Sequence, residues 1–227
     1  MQTITITKAT RNYSVTGIPS EQFAAIRFVL DAIAKQPARY ALGMLKVEQG
    51  RIIATDGRRL HIADIDMSEA LHKVLDGQPL EQGTYAVIKN NTTTIILEKQ
   101  ETDAKGDTLT YPNIEDVIPK RNKHIEIEFN PEVPTSSRIA YALGRVNAGF
   151  FNGCYLECFN ALGVDDGFRV FFSEKGRPIV IEAAVGDTDI MAIIMPITSD
   201  DDNQYCVKYI TPPAAPEVAQ TEHAACA

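Results

Sequence analysis

Residues 54–60 limit the possible folds of this chain more than any other stretch, because their sequence is that of a turn between two strands. They read Ala-Thr-Asp-Gly-Arg-Arg-Leu, follow the apolar pair Ile52 and Ile53, and precede an alternating run over residues 61–65. An Asp-Gly pair between apolar runs predicts a β-hairpin, since glycine adopts a positive φ at no steric cost. Neighbours on a strand face opposite sides, so we expect one of the two arginines to point outward and the other to hold the turn. A solvated hairpin tip without a function is the alternative interpretation.

The composition is that of an ordinary globular protein. The chain has 227 residues, of which 44% are hydrophobic and 23% charged, enough for one large domain or two small ones. No apolar run approaches the roughly 20 residues that span a bilayer. Residues 1–7 also lack the basic and apolar regions of a signal peptide. We therefore expect a cytoplasmic protein without a membrane partner.

The charge balance is acidic, with a net charge of −8 and a pI of about 5.0. A protein that binds DNA by neutralising phosphates is usually basic, so the composition argues against a simple DNA-binding domain. A ring with an acidic outside and a few basic groups in its bore remains compatible, because the placement of charge then matters more than the total.

The four cysteines give no sign of a metal or disulfide framework. Cys154 and Cys158 have helical spacing within an apolar segment, which predicts buried packing. A zinc site needs two more ligands, and no nearby histidine stands at a recognised spacing. We expect a reducing compartment, no structural disulfide and no cofactor or metal.

The periodicity of apolar residues predicts strands interrupted by a few helices, which is an α+β fold. Ser20 is expected to cap a helix that carries Phe23 and Ile26 on its apolar side. Further helices are predicted over residues 67–75, 135–146 and 151–162. Strands are predicted within residues 2–17, 40–48, 51–55, 59–66, 84–88, 93–99, 125–129, 168–173, 179–183 and 189–195.

The turn at residues 54–60 resembles a signature in the middle domain of the bacterial replicative sliding clamp, the β subunit of DNA polymerase III. Three further segments resemble that clamp in the clamp's own order, over about residues 20–198. They are residues 39–45 (Arg-Tyr-Ala-Leu-Gly-Met-Leu), 111–119 (Tyr-Pro-Asn-Ile-Glu-Asp-Val-Ile-Pro) and 193–197 (Ile-Ile-Met-Pro-Ile). Residues 151–162 are also similar to the clamp's last helix, which begins with a Phe-Asn pair.

The resemblance implies a shortened DNA-clamp fold, with antiparallel sheets outside and helices on one face. Residues 1–120 resemble the middle clamp domain and residues 121–198 the last one, each of them trimmed. Residues 199–227 extend beyond the clamp pattern, with a strand expected at 205–210 and a flexible tail after it. A phage or mobile element is the expected source of such a shortened version.

The resemblance also implies a pocket that takes a linear peptide from polymerases and clamp loaders. Its apolar side chains suit an extended ligand, methionine adapts to several ligands, and Arg59 is expected to offer hydrogen bonds at the rim. The predicted pocket residues are Thr55, Gly57, Arg58, Arg59, Leu60, Pro119, Ile193, Ile194, Met195, Pro196 and Ile197. Ordinary sheet core is the alternative interpretation of the last five.

The second surface that the resemblance implies is a bore that slides on double-stranded DNA without sequence preference. Weak phosphate contacts suffice for sliding, so a few basic groups can line it. The predicted DNA-facing residues are Arg27, Lys35, Arg39, Lys120, Arg121, Lys123, Arg138 and Arg145. A two-domain subunit reaches the six domains of a clamp ring as a homotrimer.

These expectations describe a DNA polymerase processivity factor in DNA replication, not an enzyme. The leading alternative is a non-ring adaptor or decoy that binds replication proteins through the same pocket. A third interpretation is a metal-dependent enzyme that uses Asp56, Asp64 and Asp66, since Asp64 and Asp66 share one face of a strand. No nucleophile motif or glycine-rich phosphate loop supports that enzyme.

Overall fold

A computed structural model of the chain shows an antiparallel sheet with helices on one of its faces. It describes residues 2–9, 17–35, 40–71, 75, 80–102, 106–121, 123–128, 130, 132–164 and 167–197. The strands are β1 (Thr3–Thr7), β2 (Met44–Glu48), β3 (Arg51–Thr55), β4 (Arg59–Ala63), β5 (Gly83–Asn90), β6 (Thr94–Gln100), β7 (Lys123–Ile127), β8 (Phe168–Phe172), β9 (Ile179–Val185) and β10 (Thr188–Ile194). The helices are α1 (Ser20–Leu30), α2 (Met67–Ala70) and α3 (Thr135–Arg145).

All ten strands form one sheet in the order β1-β6-β5-β2-β3-β4-β10-β9-β8-β7. Each neighbouring pair is antiparallel. The chain passes through two similar halves, β1-α1-β2-β3-β4 and β7-α3-β8-β9-β10, whose last strands pair with each other. The β5–β6 hairpin is inserted between β1 and β2 in the first half. The predicted α+β class, with helices on one face of antiparallel strands, is confirmed.

The two main helices pack on the same face of the sheet, which we call the helix face. In α1, the apolar spacing of Phe23, Ile26 and Val29 aims these buried side chains at the sheet. Helix α3 contributes Ile139 and Leu143 to the same core. That core receives side chains from all ten strands, so the two halves share it.

The opposite face of the sheet is covered in part by residues 109–121, which we call the linker. A small apolar cluster lies beneath it, because alternate residues of β3, β4, β9 and β10 point away from the helices. Its buried members are Ile53, Leu60, Ile62, Ile114, Val180 and Ile193. We call this side of the sheet the linker face.

Several local predictions are wrong. Ser20 does not cap α1, since Pro19 is the capping residue and the Ser20 hydroxyl bonds to Glu21 instead. The helix predicted over residues 151–162 is two 3₁₀ turns, Gly153–Tyr155 and Glu157–Ala161, the first of them capped by the Asn152 side chain. Residues Tyr40–Gly43 form a 3₁₀ turn before β2.

The predicted burial of the cysteine pair is wrong for Cys154, which is exposed, whereas Cys158 is half-buried. Burial raises the pKa of the Cys158 thiol to about 12, so this cysteine is protonated and unreactive at neutral pH.

The chain up to Ile197 forms one compact unit. The boundary predicted at residue 120 falls at the end of the linker between the two halves, and the division into two clamp-like domains stays a prediction. The predictions for residues 199–227 lie outside the described residues. Among the helices that the structure describes, none is long and apolar enough to cross a membrane.

Candidate functional site

The turn of the predicted hairpin between β3 and β4 is held by hydrogen bonds that its own side chains make. The Thr55 hydroxyl donates to the carbonyl of Arg59 at 2.6 Å and accepts from the Gly57 amide at 3.0 Å. One carboxylate oxygen of Asp56 accepts from the amides of Arg58 and Arg59, both at 2.9 Å. Gly57 has a φ of +87°, which other residues rarely adopt. The Thr-Asp-Gly sequence therefore fixes the turn through its own hydrogen bonds.

The two adjacent arginines face opposite sides of the sheet, as expected. Arg59 lies on the helix face, where its Nε donates to Asp56 at 3.1 Å and its guanidinium lies over the Tyr155 ring at 4.8 Å. The same guanidinium donates to the carbonyl of Asp31 at the end of α1. Arg58 is exposed on the linker face. Arg59 gives its described hydrogen bonds to Asp56 and Asp31, and both arginines border the pocket described below, so the expectation that Arg59 offers hydrogen bonds at the rim stays a prediction.

The linker forms a second wall against this hairpin. Ile114 is buried beneath it, and Arg51 of β3 holds it through an ion pair with Glu115 at 2.7 Å. The Asn113 side chain accepts from the Glu115 amide at 3.2 Å, at the start of the 3₁₀ turn over Glu115–Val117. Burial raises the pKa of the Tyr111 hydroxyl, which donates to the carbonyl of Ile53 at 3.4 Å.

The end of β10 forms the third wall. Ile193 pairs with Leu60 across the two strands, so both side chains point to the linker face. The Met195 amide donates to the carbonyl of Arg58 at 2.9 Å and extends this pairing past the strand end. The Met195 side chain is 43% exposed, which places it at the mouth of the site.

These three walls enclose one pocket of about 340 Å³. Its lining is mainly aliphatic, so the pocket is suited to binding apolar groups. The lining residues are Leu42, Thr55, Gly57, Arg58, Arg59, Leu60, Pro112, Asn113, Ile114, Val117, Ile193 and Met195.

The structure thus brings together seven of the eleven predicted pocket residues and leaves four outside. Ile194 points into the helix-face core, as its place next to Ile193 on the strand requires. Pro119 borders a separate groove, and the Ile197 amide bonds to the carbonyl of Phe150. Pro196 lies between Met195 and Ile197, outside the lining. That this pocket binds a peptide stays a prediction.

Five lining residues were missed by sequence reasoning, although a signal for each was present. Leu42 lies in the segment 39–45, and the other four lie in the segment 111–119, both of which carry the resemblance. Within such irregular segments there is no period of 2 or 3.6 that could tell which side chains face the pocket. The linker residues concerned are Pro112, Asn113, Ile114 and Val117.

The predicted DNA-facing residues do not form one surface. Arg27 and Arg138 are half-buried on α1 and α3, Lys35 follows α1 and Arg145 ends α3, so these four belong to the helix face. Of the other four predicted residues, Arg121 most clearly lies elsewhere. It lies on the linker face, paired with Glu182 at 2.5 Å. Lys120 is exposed in the linker, Lys123 begins β7, and Arg39 lies outside the described residues.

The alternative metal site is not formed. Asp56 binds the turn and Arg59, while Asp64 lies at the other end of β4. Burial, with the neighbouring Asp189, raises the pKa of the Asp64 carboxyl. In the part of the chain that the structure describes, no three His, Cys, Asp or Glu side chains could hold a metal ion together.

His61, which sequence reasoning did not single out, is fully buried on the helix face of β4. Its ring stacks on Phe28 at 4.2 Å, and its Nδ1 donates to the Phe28 carbonyl at 2.7 Å. Burial lowers the pKa of the imidazole to about 3, so the ring is neutral at physiological pH. Its position in the middle of an alternating strand was the available signal.

Among solved structures, the fold is similar to bacterial DNA sliding clamps. The Caulobacter crescentus β sliding clamp has a TM-score of 0.50 and 15% identity over 87% of this chain and 66% of its own. The Pseudomonas aeruginosa DnaN clamp bound to griselimycin has a TM-score of 0.47 and 16% identity over 87% of this chain. The Helicobacter pylori β clamp bound to a DNA ligase peptide has a TM-score of 0.48 and 14% identity over 86% of this chain.

This chain spans 65% of the length of the Pseudomonas and Helicobacter clamps. No protein-family model matches the sequence, and no curated protein matches it. At these identities the similarity to the Caulobacter structure concerns the fold, which is that of the DNA clamp.

Proposed function

We propose that this protein is a sliding-clamp-like processivity factor that binds linear peptides of replication proteins in the pocket and encircles double-stranded DNA as a homo-oligomer. It acts by holding its partners together and carries out no catalysis. A DNA polymerase and a clamp loader are the expected peptide-bearing partners, and a trimer is the expected ring.

The observation that carries the proposal is the convergence of three sequence-distant segments on one aliphatic pocket. Leu60, Ile193 and Met195 offer apolar contacts to inserted side chains. Arg58 at the edge can donate to peptide carbonyls, and Pro112 keeps the linker wall stiff. An extended peptide with two or three apolar side chains matches this combination of an apolar floor and a polar rim.

A peptide-binding measurement tests the pocket. The probe is the DNA ligase peptide with which the Helicobacter clamp was crystallised, labelled with a fluorophore and titrated with this protein. Leu60→Ala combined with Met195→Ala should weaken binding by about 2–4 kcal/mol, the scale of losing anchor side chains. Ile88→Ala is the matched control, because Ile88 is an aliphatic residue that is 59% exposed and does not line the pocket. Equal affinity for the double variant and the wild type would remove the pocket proposal.

The proposal that the protein encircles DNA rests on the basic side chains of the helix face, and it is tested first by measuring the oligomeric state. Light scattering over a range of concentrations should give the mass of a trimer. The protein should then remain on closed circular DNA and leave it when the circle is cut, because topological linkage replaces affinity. Release from circular and linear DNA at the same rate would contradict encirclement.

The second candidate function is a non-ring adaptor or decoy that uses the same pocket. Two observations favour it: the net charge is −8, and Arg121, one of the predicted DNA contacts, is paired with Glu182 on the other face. A monomer at all concentrations that still binds the ligase peptide would select this function over the ring.

A further inference from the structure

Strand β4 connects the pocket to helix α1, because its alternate side chains lie on opposite faces of the sheet. Leu60 faces the pocket and His61 faces the helix, while Arg59 borders the pocket and reaches the end of the helix with its guanidinium. The strand is only five residues long, so a change on one face is carried by the same backbone as a change on the other.

The contacts on the helix face are made with the C-terminal end of α1. The last carbonyls of a helix lack partners within the helix and need other donors. Ala32 donates to the carbonyl of Val29, which leaves the Phe28 carbonyl to His61. Arg59 donates to the carbonyl of Asp31, one residue past the helix end. Two side chains of one short strand thus cap the end of α1.

These caps are hard to replace. The His61 ring is fully buried against Phe28, and its Nε2 has no hydrogen-bond partner within the described residues. The Arg59 side chain is 14% exposed and is held on both sides, by Asp56 and by the ring of Tyr155. Each side chain joins β4 to the end of α1, so α1 and β4 are expected to move together.

Two further hydrogen bonds attach the same framework to other pocket walls. The Ala34 amide, just past α1, donates to the carbonyl of Leu42, a pocket residue. On the far side, the Met195 amide donates to the carbonyl of Arg58. The end of α1 is therefore linked to the wall at Leu42, to the hairpin turn and to the end of β10.

We propose that Arg59 and His61 are positioning residues that couple the pocket to helix α1. Filling the pocket stabilises the last turn of α1, and loosening that turn weakens binding in the pocket by the same factor. The inference rests on the proposed function for the identity of the ligand.

Amide hydrogen exchange of the ligand-free protein tests the coupling directly. Arg59→Met keeps the aliphatic stem and removes the hydrogen bond to the Asp31 carbonyl, while His61→Phe keeps the stacked ring and removes the hydrogen bond to the Phe28 carbonyl. In each variant, exchange should become about tenfold faster both at the amides of Asp31 and Ala34 and at the amide of Met195. Arg59→Lys, which keeps the charge, should fall between wild type and Arg59→Met.

Controls separate the coupling from a general loss of stability. Ile127→Val is a change in the core at β7. It should leave unchanged the ratio of the amide exchange rates of Met195 and the remote Asn91. The inference is overturned if Arg59→Met and His61→Phe speed up hydrogen exchange at the amides of Asp31 and Ala34 but leave exchange at the Met195 amide at its wild-type rate. If a variant does not fold, the comparison of wild type with Arg59→Lys decides.

The ligand arm uses the same DNA ligase peptide at saturation. Binding should slow exchange at Ala34 in the wild type, and His61→Phe, which changes a residue outside the pocket lining, should bind the peptide about tenfold more weakly. A peptide that does not bind at all counts against the proposed function, while the ligand-free arm still decides the coupling. Tight binding without protection of Ala34, and with equal affinity in His61→Phe, refutes the coupling and leaves the proposed function standing.

Discussion

The two faces of the sheet carry apolar cores of different size. On the helix face, side chains from all ten strands meet α1 and α3 in one large core. On the linker face, the buried members of the cluster among the described residues are Ile53, Leu60, Ile62, Ile114, Val180 and Ile193. From this difference we expect a division between the faces, in which the helix face supplies most of the folding free energy and the linker face leaves apolar surface exposed at the pocket.

The strongest test of this division compares two neighbouring residues of β3. Ile52 and Ile53 are both fully buried, but Ile52 joins the helix-face core and Ile53 the linker-face cluster. We expect Ile52→Ala to lower the free energy of unfolding by about 2–5 kcal/mol, because helices and sheet hold the resulting cavity open. Ile53→Ala should cost less, since the linker can settle into the space.

Urea denaturation of both variants measures this difference. Peptide affinity should respond in the opposite order, with Ile53→Ala binding more weakly than Ile52→Ala once each protein is fully folded. A larger loss of stability for Ile53→Ala would mean that the linker face contributes more to folding than its few buried residues indicate.

The helix face also carries a titrating group that sharpens the comparison. The pKa of His61 is about 3 in the folded protein, lowered by burial, against about 6.5 in the unfolded chain. Between these values the unfolded chain binds one more proton, so the free energy of unfolding falls as the pH falls, by at most about 1.4 kcal/mol per pH unit. Burial raises the pKa of Asp31 and Asp64, which contribute with the opposite sign.

His61→Phe isolates the histidine from these carboxyls. The variant should lose the part of the pH slope that lies between pH 6.5 and pH 3, and urea denaturation at several pH values measures it. An unchanged slope in His61→Phe would place the acid sensitivity elsewhere.

Sequence reasoning succeeded where structure is set by neighbouring residues. The turn at residues 55–60 follows from Thr55, Asp56 and Gly57, whose hydrogen bonds are all local. Helix α1 follows from the spacing of its apolar residues, and the opposite directions of Arg58 and Arg59 follow from strand alternation. These features need no knowledge of the rest of the chain.

Failures arose where distant segments decide the outcome. The contact of Arg59 with the end of α1 depends on that helix ending beside β4, and the ion pair of Arg121 depends on Glu182 of β9. The inserted β5–β6 hairpin and the pairing of β4 with β10 join residues far apart in the sequence. Residues 151–162 have a helical apolar pattern, yet the Asn152 cap and the packing of Phe159 in the core accompany 3₁₀ turns instead.

The smallest expected effect concerns the outer surface of the helix face. Arg145 is exposed at the end of α3, and Arg169 is exposed on the linker face, so the two provide a matched pair. If DNA lies along the helices, Arg145→Gln should lower the slope of log affinity against log salt by about 0.9, the value of one phosphate contact. Arg169→Gln should leave that slope unchanged. Fluorescence anisotropy with a short labelled duplex at several salt concentrations measures both, and equal effects of the two variants would show that DNA does not distinguish the faces of the sheet.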